Sequence, residues 1–382
     1  MRFVHTADWQ IGKNFGFADD ASQVLRDERL EAITRLGELA RSQAAFDVLV
    51  AGDVFEVETP SDRTLRQPIE RMRAFEGVRW HLVPGNHDPH TPSGPWERLL
   101  RIAKREQFPP NVHMYMAPEP VPIADGSACL LPSVLTRRHA AQDPTAWMDE
   151  AGTPEGAARI GLAHGSIASF GNDPSDTANR IAPDRPSRAG LAYLALGDWH
   201  GEKMISDRCR YAGTPEIDDF SVVGGGVALV VDIESAHAPP VVKAHEIGRF
   251  SWHKLDVAVH GRQDIDSLEA RLRGLSGELG TQLVWLRVTG ALSLDERVEF
   301  DRRIRQGVGS ALRVLRLDDA GLLSRPTQAD LASIDYAGFV RAAADHLAAL
   351  ATSETDPQRE IAALALQRLF VLASQGSGTT RP

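Results

Sequence analysis

The sequence predicts an α/β fold with a largely parallel sheet in its N-terminal part. Three observations carry that prediction. The chain up to Asp88 alternates strand, helix, strand, helix, strand. Each of those strands ends in Asp or Asn. Hydrophobic residues make up 42% of the chain and charged residues 25%, a composition ordinary for a soluble globular protein.

Residues 2–5 form a short strand that runs into Thr6-Ala-Asp8-Trp-Gln10-Ile-Gly12. Over residues 22–43, Val24, Leu25, Ile33, Leu36, Leu39 and Ala40 recur at helical spacing and predict an amphipathic helix. Phe46–Ala51 is a strand ending in Gly52-Asp53, and Ser61 and Asp62 cap a helix that runs to about Phe75. Val78–Val83 is a strand that stops in Pro84-Gly85-Asn86-His87-Asp88. Taken alone, Gly-Asn-His-Asp reads equally as a β-turn or as a reactive centre at a sheet's carboxyl edge.

Strand-like residues continue over Val121–Val134, and 157–163 is a strand ending in His164-Gly165-Ser166. The polar stretch Asn172–Arg188, with prolines at 174, 183 and 186, is a loop. Leu191–Leu196 is a strand ending in Gly197-Asp198-Trp199-His200-Gly201. Arg208–Ala212, Val227–Ile233 and Val241–Ile247 read as an antiparallel meander closing a second sheet. The composition shifts near Gly248. Strands Ser251–Val259, Gln282–Val288 and Arg313–Leu317 then alternate with a helix over 266–279 and one that opens on a capping box at Ser293-Leu-Asp-Glu296 and runs to about Val308. That order suits a small, separate α+β domain. In the tail, Tyr336, Phe339, Val340, Ala343, Leu347 and Leu350 share one helical face, Leu364, Leu366, Leu369 and Phe370 mark a second helix, and Gly376–Pro382 reads as disordered.

With 382 residues, the chain has room for two or three domains. It has no apolar run of membrane-span length and no apolar core of a signal peptide near Met1, so the expected location is the cytoplasm, with no membrane partner. Cys129 and Cys209, the only cysteines, read as small buried hydrophobes rather than a disulfide. A net charge of −10 does not advertise nucleic-acid binding. It is compatible with it, because a carboxylate-rich site lowers the net charge and bound cations restore positive charge where a phosphate sits.

Successive strand ends carry Asp8 with Gln10, Asp53, Asn86 with His87, His164, and Asp198 with His200. One polar strand end is a turn; polar, ligand-capable groups at every strand end are hard to explain as turns. Strand ends on one edge of such a sheet converge on one crevice. Oxygen and nitrogen donors without cysteine suit Mn²⁺, Fe or Zn²⁺ rather than a structural thiolate site.

These pieces resemble the calcineurin-like metallophosphoesterases, and within them the SbcD-type DNA repair exonucleases. The motifs are Asp8-x-Gln10, Gly52-Asp53, Gly85-Asn-His-Asp88, His164-Gly165 and Gly197-Asp-x-His200, in the family's order, over about half the chain. His5-Thr-Ala-Asp8, Gly52-Asp53-Val-Phe55 and Tyr211-x-Gly-Thr-Pro-Glu216 are similar to the exonuclease branch. The resemblance implies a two-sheet sandwich flanked by helices over 1–248, a small α+β cap over 249–320 and a helical tail over 321–375. It implies a DNA exonuclease or endonuclease that hydrolyses phosphodiesters with two metal ions. In it Asp53 bridges both ions; Asp8, Gln10 and His200 complete one site; Asn86, His164 and Asp198 complete the other. His87 acts on the phosphate as a proton or hydrogen-bond donor, and Asp88 orients His87 or a ligand. The implied partners are DNA and an SMC-like coiled-coil ATPase docked by the tail, with a homodimer only by analogy.

Two positions depart from the family pattern: Gln10 and Asp198 stand where histidines are usual. Both remain oxygen donors, which moves the expected metal toward Mn²⁺ or Mg²⁺, with Fe allowed and Zn²⁺ disfavoured. A decayed site would instead have lost its donors to Ala, Gly or Leu. Two rival functions stay open at this stage: a phosphodiesterase of the same fold acting on nucleotides or small molecules, and a non-catalytic scaffold of an ATPase complex. Bland readings hold for most other polar residues. His5 is a packed strand residue, and Trp9 and Trp199 are packing or cleft wall. His81, His90, His113, His139 and His245 are satisfied or on the surface. Arg63, Arg66, Arg71, Arg73, Arg137, Arg138, Arg302, Arg303 and Arg305 lie on solvated faces.

Overall fold

Strand β1 (Arg2–Thr6) is apolar on both faces, so it must lie between two covered layers. Phe3 and Val4 point to opposite sides and are both fully buried. In the computed structural model, which describes residues 1–167, 178–325, 327, 330–331, 338–353 and 355–376, β1 is central to a six-stranded sheet. It pairs in parallel with β2 (Asp47–Val50), followed by β3 (Arg79–Leu82) and β4 (Val112–Met114). Helices α1 (Ser22–Ser42), α2 (Asp62–Arg73) and α3 (Pro95–Arg105) make the crossovers. Leu25, Ile33, Leu36 and Ala40 are the buried stripe of α1, and Ser61 Oγ caps α2 by accepting from Thr64 N at 3.1 Å. Helix α3 is an addition to the elements expected from the sequence, although Gly94 followed by Pro95 at its first turn is a start signal.

The second sheet also has six strands. β5 (Val121–Ile123) pairs antiparallel with β6 (Ala128–Pro132), and β6, β7 (Ala158–His164), β10 (Tyr193–Gly197) and β12 (Cys209–Tyr211) follow in parallel. β11 (Lys203–Ser206) closes the edge. A short pair, β8 (Ser166–Ile167) with β9 (Arg180–Ile181), and helix α4 (Arg185–Arg188) interrupt the expected loop; its residues 172–177 lie outside the described residues.

The expected meander does not form. β13 (Val227–Asp232) and β14 (Val241–Glu246) make a hairpin that adds to the first sheet, antiparallel to β1. The reason is visible in β13, which is apolar at successive positions rather than at alternate ones. Ala228 and Val230 enter the core shared with α1 and α2, while Leu229 and Val231 enter the core between the two sheets. A strand of this kind belongs inside a two-sided sheet, not in a meander with one wet face. Both cysteines are free and buried.

Ser251–Pro382 is a second compact unit, separate from Met1–Phe250. β15 (Ser251–Val259), β16 (Gln282–Leu292) and β17 (Val314–Ser324) pair in parallel throughout. The expected α+β arrangement is therefore, in detail, two consecutive parallel β-α-β crossovers. Helix α5 (Arg262–Arg273) and helix α6 (Leu294–Phe300), continued by a π-helical run over Asp301–Val308, pack Ile265, Leu268, Leu272, Phe300, Ile304 and Val308 into one core with Val284, Leu286 and Val288. The Ser293–Glu296 capping box is formed. The helices Phe339–Thr352 and Arg359–Gly376 bury Ala344, Leu366 and Phe370 with Leu294 and Leu331. Phe339 and Leu364 are exposed instead of packed, and Tyr336 and 377–382 lie outside the described residues. Among the described residues no helix is long and apolar enough to cross a membrane.

Candidate metal centre

The loops that carry the candidate ligands are zipped together through their backbones. Asp8 N donates to Gly52 O at 3.1 Å, Gln10 N to Asp53 O at 3.0 Å and Ile11 N to Val54 O at 2.9 Å. The loops after β1 and β2 therefore descend side by side and bring Asp8, Gln10 and Asp53 together. Gly52 takes φ +84°, and a side chain there would stand 2.4 Å from His164 Nδ1. Only glycine lets the loop after β2 pass so close to the end of β7. Four of the candidate ligands themselves hold left-handed backbone: Asp8 (φ 54°), Gln10 (49°), Asp53 (51°) and Asp198 (109°). Non-glycine residues there are strained by about 1–2 kcal/mol each, and such strain gathers at functional sites.

The side chains fall into two groups around Asp53. Its Oδ2 accepts from Gln10 Nε2 at 2.9 Å, and that nitrogen is 3.4 Å from His200 Nε2. Its Oδ1 lies 3.5 Å from His164 Nε2, which is 3.7 Å from Asp198 Oδ1. Asn86 Nδ2 donates to Asp198 Oδ1 at 3.2 Å. The seven residues singled out in the sequence as ligands thus converge, with Asp8 underneath, where its carboxylate accepts the backbone N–H of Asp198 at 3.1 Å. Asp8, Asp53 and His164 offer ligand atoms within 4.8 Å of one another.

Three buried atoms argue for a cation here. Among the described residues, Gln10 Oε1, Asn86 Oδ1 and His164 Nε2 have no hydrogen-bond partner. The two amide oxygens carry lone pairs; His164 Nδ1 lies 2.9 Å from Ala51 O, a carbonyl that can only accept, so Nδ1 is protonated and Nε2 is the nitrogen that takes up either a further proton or a cation. Buried lone pairs without donors are costly unless a cation or a proton meets them. The electrostatics agree. Burial, reinforced by Asp53 and Asp198 against the pull of His200 and His164, pushes the Asp8 carboxyl up to about 7. Burial disfavours charge on His164, yet Asp53, Asp8 and Asp198 outweigh it and hold the imidazole at about 9. His200 is likewise raised to about 9, burial being outweighed by its hydrogen bond to Asp218 and by Asp8. Crowded carboxylates that hold protons and imidazolium in place mark a site suited to multivalent cations. The donor set, oxygen and imidazole nitrogen with no sulfur, fits a divalent metal.

His87 stands beside this cluster. Its backbone N–H donates to Asp53 Oδ1 at 2.9 Å, and its Nδ1 lies 3.2 Å from Glu56 O. The carbonyl accepts from Nδ1–H and leaves Nε2 for chemistry. Among the described residues Asp88 bonds backbone through its carboxylate, rather than the His87 ring or a candidate ligand's side chain. Its wholly buried carboxylate accepts from Gly85 N at 2.7 Å and Phe55 N at 3.0 Å, so it pins the backbone of two loops. Burial, then the nearby Asp53, pushes its pKa up.

Residues missed in the sequence complete the surroundings. Arg29, in α1 and almost fully buried, donates to Trp9 O at 2.7 Å, Glu216 O at 2.8 Å, Asp8 O at 3.1 Å and Thr214 Oγ1 at 3.0 Å. Glu216 accepts from Arg249 N and Phe250 N at 2.8 and 3.0 Å. Asp218 bonds His200 and Lys13. The Tyr211-x-Gly-Thr-Pro-Glu216 segment points to this region, but nothing in the sequence marks Arg29, Lys13 or Asp218.

The bland readings largely hold. His5 is core, bonded to Tyr193 Oη and Leu196 O at 3.1 Å each. Trp9 is core, edge-on to Trp80, while Trp199 is 48% exposed. His81 is buried against Asp47 and Tyr115. Arg66, Arg71, Arg73, Arg302, Arg303 and Arg305 are all ion-paired.

Three curated relatives match parts of the chain. The SbcD subunit of the nuclease SbcCD from Rhodobacter capsulatus is 35% identical over 94 residues, 23% of this chain and 22% of that protein. The SbcD subunit of the nuclease SbcCD from Escherichia coli K12 is 32% identical over 90 residues, 23% of this chain and 21% of that protein. The DNA double-strand break repair protein Mre11 of Archaeoglobus fulgidus is 33% identical over 91 residues, 23% of this chain and 19% of that protein. Each match spans about a fifth of the relative's own length. The family model described as calcineurin-like phosphoesterase matches residues 1–231, the whole of the stretch that carries the crevice and its donors. The chain belongs to the calcineurin-like phosphoesterase family, whose members bind divalent metals.

Proposed function

We propose that this chain is a DNA nuclease that hydrolyses phosphodiester bonds with two divalent cations, Mn²⁺ first among them. The observation that carries the reading is the gathering of ligand atoms of Asp8, Asp53 and His164 within 4.8 Å of one another, next to Gln10 and Asn86, whose Oε1 and Oδ1 are buried without a hydrogen-bond partner among the described residues. In this reading Asp8, Gln10 and His200 would hold one cation, Asn86, His164 and Asp198 the other, and Asp53 would serve both. Bound there, divalent cations supply Lewis acidity for clamping a phosphate and making water a better nucleophile. The chain's own residues do the rest. Asp53 and Asp8 concentrate negative charge that repels a phosphate unless cations are present, so binding and metal loading are coupled. His87, its Nδ1 engaged by Glu56 O, offers Nε2 to the leaving oxygen, and protonation of that nitrogen makes it a donor.

The partial similarity to the SbcD subunits and to Mre11 supports DNA as the substrate. On the same grounds we assign the second unit to shaping DNA access and the helical tail to docking an SMC-like ATPase; Ile361 and Leu372 on that tail are 71% and 66% exposed. The test is degradation of DNA with varied end structures in Mn²⁺. Asp53→Ala abolishes it, and His87→Ala removes turnover while bound metal remains. Protein that binds two metals but cuts no DNA refutes the substrate; a panel of bis-p-nitrophenyl phosphate, cyclic nucleotides and oligonucleotides then decides for a small-molecule phosphodiesterase. Protein that takes up no Mn, Fe or Zn points to the scaffold reading.

A further inference from the structure

Behind His200 stands a carboxylate that none of the motifs contains. His200 Nδ1 lies 2.9 Å from Asp218 Oδ1. A carboxylate can only accept, so the ring proton is on Nδ1 and Nε2 is the nitrogen presented to the crevice, 3.4 Å from Gln10 Nε2. The second oxygen of Asp218 accepts from Lys13 Nζ at 2.7 Å. Lys13 belongs to the loop of the first motif, where its N–H donates to Gln10 O at 3.1 Å. The Asp218 side chain is wholly buried. With one oxygen on His200 and the other on Lys13, it is engaged in positioning and is not itself a ligand. It ties the imidazole of the last motif to the loop of the first, the two pieces that meet on the Gln10 side of Asp53.

We propose that Asp218 is a positioning residue for the cation held by Asp8, Gln10 and His200. It fixes the His200 tautomer and ring orientation and strengthens the imidazole as a donor. A carboxylate behind a metal-binding histidine does both. The need for it lies in Gln10, whose neutral carbonyl is a weaker donor than an imidazole would be. The inference rests on the two-cation reading above.

The test uses the full chain, titrated with Mn²⁺ by calorimetry, with electron paramagnetic resonance to distinguish a coupled Mn²⁺ pair from a single ion. Asp218→Ala is expected to weaken one of the two Mn²⁺ sites about 10–100-fold and leave the other near its parent affinity. At a concentration that fills both parent sites, its spectrum changes from coupled pair to single ion. Asp218→Asn keeps the shape and an acceptor but loses the charge, so it falls between parent and Asp218→Ala. It also stands in should the alanine variant not fold, as judged by circular dichroism. Two sites of parent affinity in the variants overturn the inference, and so does equal weakening of both sites, which is what a merely structural residue gives. A parent that binds no Mn²⁺ refutes the two-cation reading itself, and this inference with it.

Discussion

Gly85 sets the distance between the Asn86–His87 loop and Asp53, and its replacement by alanine is the sharpest test of that geometry. A Cβ on Gly85 would lie 2.1 Å from Asp53 Oδ1 and 2.4 Å from Asp53 N, where ordinary contact begins at 3.4 Å. One of the two obstacles is backbone, and Asp53 is itself held, its carbonyl accepting from Gln10 N at 3.0 Å. It is therefore the Gly85–Asp88 loop that moves, by about 1 Å. That shift strains the bond from His87 N to Asp53 Oδ1 at 2.9 Å and the bond from Gly85 N to Asp88 at 2.7 Å. A misplacement of about 1 Å costs roughly 10²-fold in rate. Overpacking of this kind costs about 1–3 kcal/mol, too little to unfold a domain of ordinary stability. The expected result for Gly85→Ala is a folded protein, several degrees lower in Tm, whose kcat on bis-p-nitrophenyl phosphate in Mn²⁺ falls about a hundredfold. A variant with kcat within threefold of the parent would show that the position of this loop does not limit the chemistry, and would undo the role given to His87.

Other expectations follow from single residues. Burial lowers His5 from 6.5 to about 3, so the fold favours its neutral form: that contribution is complete above pH 6.5 and is lost as pH falls toward 3. At about 1.4 kcal/mol per unit, it amounts to about 2 kcal/mol by pH 5. His5→Gln therefore flattens the difference in urea-unfolding stability between pH 7 and pH 5, and an unchanged difference removes His5 as its cause. Arg29→Met strips donors from the carbonyls of Asp8, Trp9 and Glu216 and leaves the carboxylates around them without their buried cation. It is expected to cost about 3–5 kcal/mol in chemical unfolding, and a loss below about 1 kcal/mol contradicts the account. Gln10→His exchanges a carbonyl for an imidazole and shifts preference toward Zn²⁺ over Mn²⁺. Competition calorimetry with the two metals reads this directly, and unchanged selectivity means Gln10 is not a ligand.

The parallel core is legible because each strand carries two independent signals, an apolar run and a polar exit. The hairpin of β13 and β14 is easily misplaced because local pattern says that a segment is a strand but not which sheet it joins. The clue that its apolar positions are continuous rather than alternating is present in Ala228-Leu-Val-Val231 and is outweighed by the turn-rich sequence around it. Helix α3 has a narrow apolar stripe, of which Trp96 and Leu99 are buried, and the motif residues just before it hide it. Asp218 is invisible for a different reason. Its partners, His200 and Lys13, are 18 and 205 positions away, and no spacing rule connects a carboxylate after a strand to a lysine after another.

The backbone conformation of the candidate ligands adds an argument for a reactive centre over a turn that the sequence does not contain. Turns place Gly, Asn or Asp at positive φ because those residues tolerate it. Asp8 and Asp53 would pass that test and leave the question open. Gln10 does not, because a glutamine at φ 49° gains nothing from a turn and plays no part in closing one with its side chain. It is wholly buried, its amide nitrogen engaged by Asp53 and its oxygen unpartnered. A residue held in a strained backbone, with a buried oxygen that no donor meets, carries two penalties that a group from outside the chain could offset. A cation would meet that lone pair and would relieve the crowding of carboxylates that, after burial, pushes the Asp8 pKa up. A tight turn would do neither.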